Sequence, residues 1–181
     1  MLPFFVMVIS LCAPPPALLA GVAGDDAPSA SGSSYAYHAS GRVSRLREAW
    51  RRDPQSAEIH NELGLALGDA GDLAGALAEL KTATQLDANY SQAHYNLAVT
   101  FLKQVELAQG RDDATYYDNL QNASNEFRRA YQLAPDLSMI HMQLGWIGQE
   151  IGNFSAALEE FQLAVKEDPR SALSLFGRRR R

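Results

Sequence analysis

Three histidines stand in the same local setting, and imidazole is both a common transition-metal ligand and a proton carrier near neutral pH. His60, His94 and His141 are each followed three residues on by a leucine and then by a small residue: Leu63 and Gly64, Leu97 and Ala98, Leu144 and Gly145. A metal would need several of these rings at one point. With each on its own helix, packing holds the helix axes about 8–10 Å apart, too far for one ion, so the three are read as packing groups. Other chemistry is equally sparse. The sequence holds no His-Glu-x-x-His, no cysteine pair and no Ser/His/Asp grouping. Gly64, Gly68 and Gly71 fall at a helix crossing and a helix end, whereas a phosphate-cradling loop follows a strand. No catalytic residue, metal or cofactor is expected.

The histidines are positioned by a repeat. His60 and His94 are 34 residues apart, and similar segments begin at Ala57, Ser91 and Ser138. Their second halves carry small residues seven apart with a large apolar residue between: Ala76, Leu80, Ala83; Ala123, Phe127, Ala130; Ala157, Phe161, Ala164. That spacing marks one face of a helix. Pro54, Pro135 and Pro169 stand at matching turns, with Ala88 as the one departure.

This pattern resembles the tetratricopeptide repeat (TPR) from Ala57 to Pro169, with a half-repeat before it. The resemblance implies an all-α, right-handed α-α solenoid of three helix hairpins with an N-terminal capping helix. Its small residues have a physical reason: Gly64, Ala98 and Gly145 lie where the second helix of the same hairpin crosses, and Ala76, Ala123 and Ala157 are the matching close contacts. Residues 57–90 form the first repeat, 91–137 the second and 138–171 the third, with a short segment over 172–181. Residues 42–56 form the capping helix, with Leu46 and Ala49 in the large and small columns.

The second repeat is longer. His94 and His141 are 47 residues apart, so 13 residues are inserted between Phe101 and Ala123. Gly110 suits a helix C-cap and Asp112 or Asp113 an N-cap, which lengthens both helices by about two turns. The tip, from Gly110 to Asp118, is expected to project, with Tyr116 and Tyr117 packing within the hairpin or meeting a partner.

Residues 1–24 carry no charged side chain and open on an apolar run, the pattern of an export signal or an N-terminal anchor. Pro14, Pro15 and Pro16 argue against a stable membrane helix. Residues 25–41, rich in Gly, Ser, Ala and Asp, read as a flexible linker. Cys12 is the one cysteine and lies inside the export segment, so a cleaved chain would contain none. The sequence predicts an exported protein, periplasmic or envelope-associated, with extracellular location as an alternative and membrane contact only through an uncleaved N-terminal segment.

Charge is segregated under the net value of -5. Arg42 to Arg52 holds five Arg against Glu48, and residues 178–181 are all Arg. Between them, Asp53 to Arg170 carries 18 acidic and 7 basic side chains, a balance of -11. Such a body repels phosphate backbones, and nucleic acid is not expected as the ligand. Asn89-Tyr90-Ser91, Asn122-Ala123-Ser124 and Asn153-Phe154-Ser155 match the glycosylation pattern, but Asn and Ser serve equally as turn and cap residues.

In the family resembled, first helices line a concave groove. Its exposed residues here would be Asn61, Leu65, Tyr95, Asn96, Val99, Leu102, Met139, Met142 and Trp146, an apolar and aromatic surface with amides. Glu58, Glu62, Asp69 and Glu150 would form an acidic rim. Members of the family that grip a peptide carboxylate use Lys and Arg at places occupied here by Asn61, Leu65, Asn96, Met139 and Gln143. The expected function is therefore a non-enzymatic scaffold or adaptor for an apolar or amphipathic polypeptide segment, in a bacterial cell-envelope assembly. The alternative is self-association, giving a homo-oligomer, through a poorly capped C-terminal face near Leu173, Leu175 and Phe176.

Overall fold

The computed structural model describes residues 33–108, 114–136 and 139–169. Among them the chain forms seven helices: α1 (Ser33–Arg52), α2 (Ala57–Asp69), α3 (Leu73–Leu86), α4 (Ser91–Leu107), α5 (Ala114–Leu133), α6 (Met139–Glu150) and α7 (Phe154–Glu167). They pair as hairpins α2–α3, α4–α5 and α6–α7, with α1 packed on α2 and each hairpin on the next. The described residues form an all-α solenoid. No described helix is long and apolar enough to cross a membrane.

Short local signals set the helix ends. Ser56, Asp72 and Asn153 cap α2, α3 and α7, their side-chain oxygens accepting from the backbone N–H of Ile59, Gly75 and Ala156. The turns inside the first and third hairpins use Gly71 (φ +87°) and Gly152 (φ +80°), conformations that L side chains rarely adopt. Asn153 thus acts as a cap, Asn89 sits in an exposed turn, and Asn122 lies on the exposed side of α5.

Within each hairpin the crossing point demands a small residue. A Cβ on Gly64 would stand 2.6 Å from Leu80 Cγ, and one on Gly145 2.6 Å from the ring of Phe161. Ala98 fills the same place in the middle hairpin and is fully buried.

The main core is built around the middle hairpin. Leu97, Phe101, Leu102 and Val105 of α4 and Tyr116, Leu120 and Phe127 of α5 join Leu77 and Leu80 behind them and Ile140, Leu144 and Ile147 ahead. A smaller cluster of Val43, Leu63, Ala66, Leu67 and Ala76 ties α1 to the first hairpin.

Two boundaries differ from expectation. Residues 25–41 are read from sequence as linker, yet α1 begins at Ser33. From Ser33 to Gly41 the one glycine is Gly41 itself, and one helical glycine costs only about 1 kcal/mol. Tyr35, Ala36, Tyr37, His38 and Ala39 are compatible with helix. The insertion lengthens both helices, to 17 residues in α4 and 20 in α5 against 13 in α2 and 14 in α3. That is about one turn on α4 and nearly two on α5. Residues 114–118 of the expected tip belong to α5, and Gly110, Asp112 and Asp113 lie outside the described residues, as do residues 1–24 and 170–181.

Candidate functional site

The histidine column is one half of a repeated pair. His60 Nδ1 lies 2.6 Å from Glu79 Oε2, His94 Nδ1 2.6 Å from Glu126 Oε2, and His141 Nδ1 2.7 Å from Glu160 Oε2. Every histidine stands on the first helix of a hairpin and its carboxylate on the second, so the contact clips the two helices together. The other ring nitrogen of His60 reaches Pro54 O at 3.1 Å, and that of His94 reaches Ala88 O at 3.2 Å. These bonds anchor the turn that leads in from the preceding helix. His141 departs: its Nε2 is buried with no hydrogen-bond partner among the described residues and faces Glu167 Oε1 at 3.5 Å. Tyr131 supports this end, its ring 4.5 Å from that of His141 and its hydroxyl donating to Glu167 at 2.6 Å. That carboxylate raises the Tyr131 phenol above its ordinary value, with burial adding to the effect. The histidines are packing groups, each with its own carboxylate. Sequence reading missed the partners, although Glu79, Glu126 and Glu160 each stand three residues after Ala76, Ala123 and Ala157.

The family models match this architecture at two places, a TPR repeat over residues 69–105 and a tetratricopeptide repeat over residues 140–171. The chain is a tetratricopeptide-repeat protein. Solved structures similar to this TPR protein include the crystal structure of MamA, 21% identical with a TM-score of 0.62 over 72% of this chain and 69% of that one. TTC0263, a thermophilic TPR protein of Thermus thermophilus, is 20% identical with a TM-score of 0.61, covering 78% and 74%. The TPR domain of Arabidopsis OM64 is 17% identical with a TM-score of 0.54, covering 68% and 93%. At such identities the likeness is one of fold. No curated protein matches the sequence.

The first helices of the TPR protein divide the nine expected groove residues into two sets. Asn61, Asn96 and Leu102 are buried. Asn96 Nδ2 donates to Asn61 Oδ1 at 2.8 Å, Gln92 Nε2 donates to Asn96 Oδ1 at 3.1 Å, and Asn61 Nδ2 donates to the Tyr90 hydroxyl at 3.4 Å. These amides form a ladder between the first and second repeats and do not point to a ligand. The correction has a physical reason: a buried amide keeps the partner that compensates its lost water. Leu102, which takes the place of Gly68 in α2, joins the main core with Val105, Tyr116 and Leu120. Gln143, expected on the same surface, is also buried.

The second set remains accessible. Leu65, Tyr95, Val99, Met142 and Trp146 are half-buried and Met139 is exposed. Tyr95 packs edge-on against Phe127, ring centres 5.6 Å apart, so its ring is held in place from behind.

The acidic rim is not bare. Arg42 of α1 reaches Glu62 Oε2 at 2.6 Å and Asp69 Oδ2 at 3.3 Å. Glu58 accepts from Ser56 Oγ at 2.9 Å, and Glu150 accepts from the Tyr116 hydroxyl at 2.8 Å. Burial, with Glu58 and Glu62 nearby, raises the Tyr90 phenol. Tyr116 itself is buried in the main core and Tyr117 is exposed beside it, rings 5.3 Å apart. Among the described residues no three His, Cys, Asp or Glu side chains gather as a metal-holding group.

Proposed function

We propose that this TPR protein is a scaffold holding an apolar or amphipathic segment of another polypeptide along the wall formed by Leu65, Tyr95, Val99, Met139, Met142 and Trp146. The observation that supports it is their placement: large apolar side chains stay accessible on three successive first helices, α2, α4 and α6. A helix laid in such a groove offers anchors at helical spacing. With Asn61 and Asn96 bonded to each other, recognition rests on these apolar anchors and not on amides grasping a ligand backbone. Arg42 offsets Glu62 and Asp69, so the groove discriminates by charge less than the bare count of carboxylates implies. The setting we propose is a bacterial cell envelope, a reading supported by the uncharged apolar residues 1–24.

A pull-down from envelope extract with the full chain, compared with Tyr95→Ala/Trp146→Ala, tests the groove. The expected result is a partner lost, with affinity at least about tenfold weaker, the scale of losing one or two interface anchors, while helical content stays the same. Equal recovery by both proteins overturns the groove reading. Fractionation of the producing cell tests the setting separately, and a protein found wholly in the cytosol overturns it.

A further inference from the structure

Charge is unevenly spread over the solenoid, and α1 holds what the repeats lack. Arg42, Arg45, Arg47, Arg51 and Arg52 lie on this helix, with Glu48 as the one carboxylate among them. Two of the five are neutralised within the protein: Arg42 reaches Glu62 and Asp69 on α2, and Arg51 pairs with Glu48. Arg45, Arg47 and Arg52 are exposed and make no ion pair among the described residues. The helix packs on α2 through Val43 and Leu46, which leaves its far side to solvent. There Arg47, Trp50 and Arg51 follow at i, i+3 and i+4, beside a row of Arg45, Glu48 and Arg52 at i, i+3 and i+7, the longer row about 10 Å at the α-helical rise. Trp50 is 40% exposed, a large indole left in water among these guanidiniums.

We propose that this face of α1 docks the protein on an anionic lipid surface, by a contact separate from any that residues 1–24 make. Charge complementarity gives the class of partner. Three cations without a counter-charge, gathered on one helix of a protein whose residues 53–170 carry a balance of -11, attract a negative array, each strengthening partition onto an anionic bilayer about fivefold. The indole narrows the choice. A Trp flanked by Arg on the outer side of a helix suits the boundary between headgroups and acyl chains, where its ring lies between water and hydrocarbon. A single convex helix has no groove to enclose a peptide, whereas a planar headgroup layer meets both rows at once. Duplex nucleic acid would satisfy the guanidiniums and leave the indole nothing to stack on, and a single strand, whose open bases do stack on aromatic rings, is the other polyanion to test. The acidic repeats set the orientation. The surface that attracts α1 repels them, so the solenoid stands with α1 toward the lipid and α7 away from it.

Flotation of the full chain with vesicles tests the contact, using phosphatidylcholine alone and phosphatidylcholine mixed with phosphatidylglycerol. The wild type should float with the anionic vesicles, and Arg45→Gln/Arg47→Gln/Arg52→Gln should bind them about a hundredfold more weakly, fivefold for each charge removed. Glutamine is a good helix former, and unchanged circular dichroism shows that the variant folds. Equal binding of the two proteins to anionic vesicles overturns the proposal, and so does equal binding of the wild type to neutral ones, which assigns the contact to the apolar residues 1–24. A single-stranded oligonucleotide that binds the wild type when the vesicles do not also overturns it. Indole emission supplies a second readout. Anionic vesicles should shift it to shorter wavelength in the wild type and not in Trp50→Phe, which retains Trp146, and the same shift in both proteins overturns the assignment to α1.

Discussion

The middle hairpin and the C-terminal hairpin are built from the same repeat and end in different states. In the middle, Phe127 is completely buried in the main core, with the Tyr95 ring of α4 edge-on against it. Phe161 stands in the same column of α7 and is half-buried, its ring lying over Gly145. Of α7, only Ala157 and Ala164 are buried. The residue types match; what differs is whether another hairpin stacks on them. In a solenoid, stability is a sum of repeat terms and neighbour interfaces, so a column of like residues does not imply equal energies.

The largest test of this contrast removes the two phenylalanines in turn. Phe127→Ala should cost about 3–5 kcal/mol, the usual range for a buried aromatic ring, and Phe161→Ala about half as much. Urea unfolding followed by circular dichroism gives both values, and equal losses would break the contrast.

Next in size is the amide ladder between the first two repeats. Asn61→Ala leaves the buried Asn96 Nδ2 without its acceptor, an expected loss of about 1–3 kcal/mol. A double-mutant cycle with Asn96→Ala should show the pair coupled, and strict additivity would argue against the ladder.

The glycine crossings sharpen the comparison further. Gly64→Ala presses a methyl group on Leu80, which is fully buried and has no room to yield, and should cost about 1–3 kcal/mol. Gly145→Ala presses on Phe161, which is partly open to solvent and can swing away, so its cost should stay below about 1 kcal/mol by the same reasoning. Thermal melts of the two variants check the order.

The smallest effect concerns alkaline pH. The Tyr131 phenol is raised because its protonated hydroxyl donates to Glu167, and ionisation would set two negative groups together. A folded value above the ordinary 10.0 means that this contribution is fully present below pH 10 and is lost as pH rises through the raised value. The stability difference between the wild type and Tyr131→Phe should therefore be flat below pH 10 and shrink above it. A difference that grows with alkalinity would reverse the assignment.

Much of this architecture is legible in the sequence. The 34-residue spacing of His60 and His94, the small residues at the crossings and the alanine columns follow from how closely two helices approach, and that requirement repeats. The burial of Asn61 and Asn96 is not legible in this way. In the 34-residue period Asn61 aligns with Tyr95, and Asn96 with Glu62, so neither forms a column and their bond joins unlike positions. Leu102 escapes sequence reading for a related reason, since its counterparts in the other repeats are Gly68 and Gln149 and no column of like residues marks it as core. Arg42 belongs to a helix whose start is masked by Gly41 and a polar lead-in. What repeats is legible in one sequence, and what couples one repeat to the next is not. The histidine–glutamate pairs are an exception, a repeated signal in plain sight beside the alanines.

The lengthened hairpin has a mechanical consequence. By outreaching its neighbours it brings the start of α5 level with the end of α6, where the Tyr116 hydroxyl donates to Glu150 at 2.8 Å. The same pair of helices is also joined near the other end, where the rings of Tyr131 and His141 meet. Two fastenings set far apart resist twist as one cannot, so the joint between the second and third repeats should be torsionally stiff. Between the first and second repeats, the amide ladder and Arg129, which reaches back from α5 to Ala88 O at 3.2 Å, act close to the linking turn. The wall formed by α4 and α6 should then keep a fixed curvature, and a ligand spanning these two repeats would meet a preset shape.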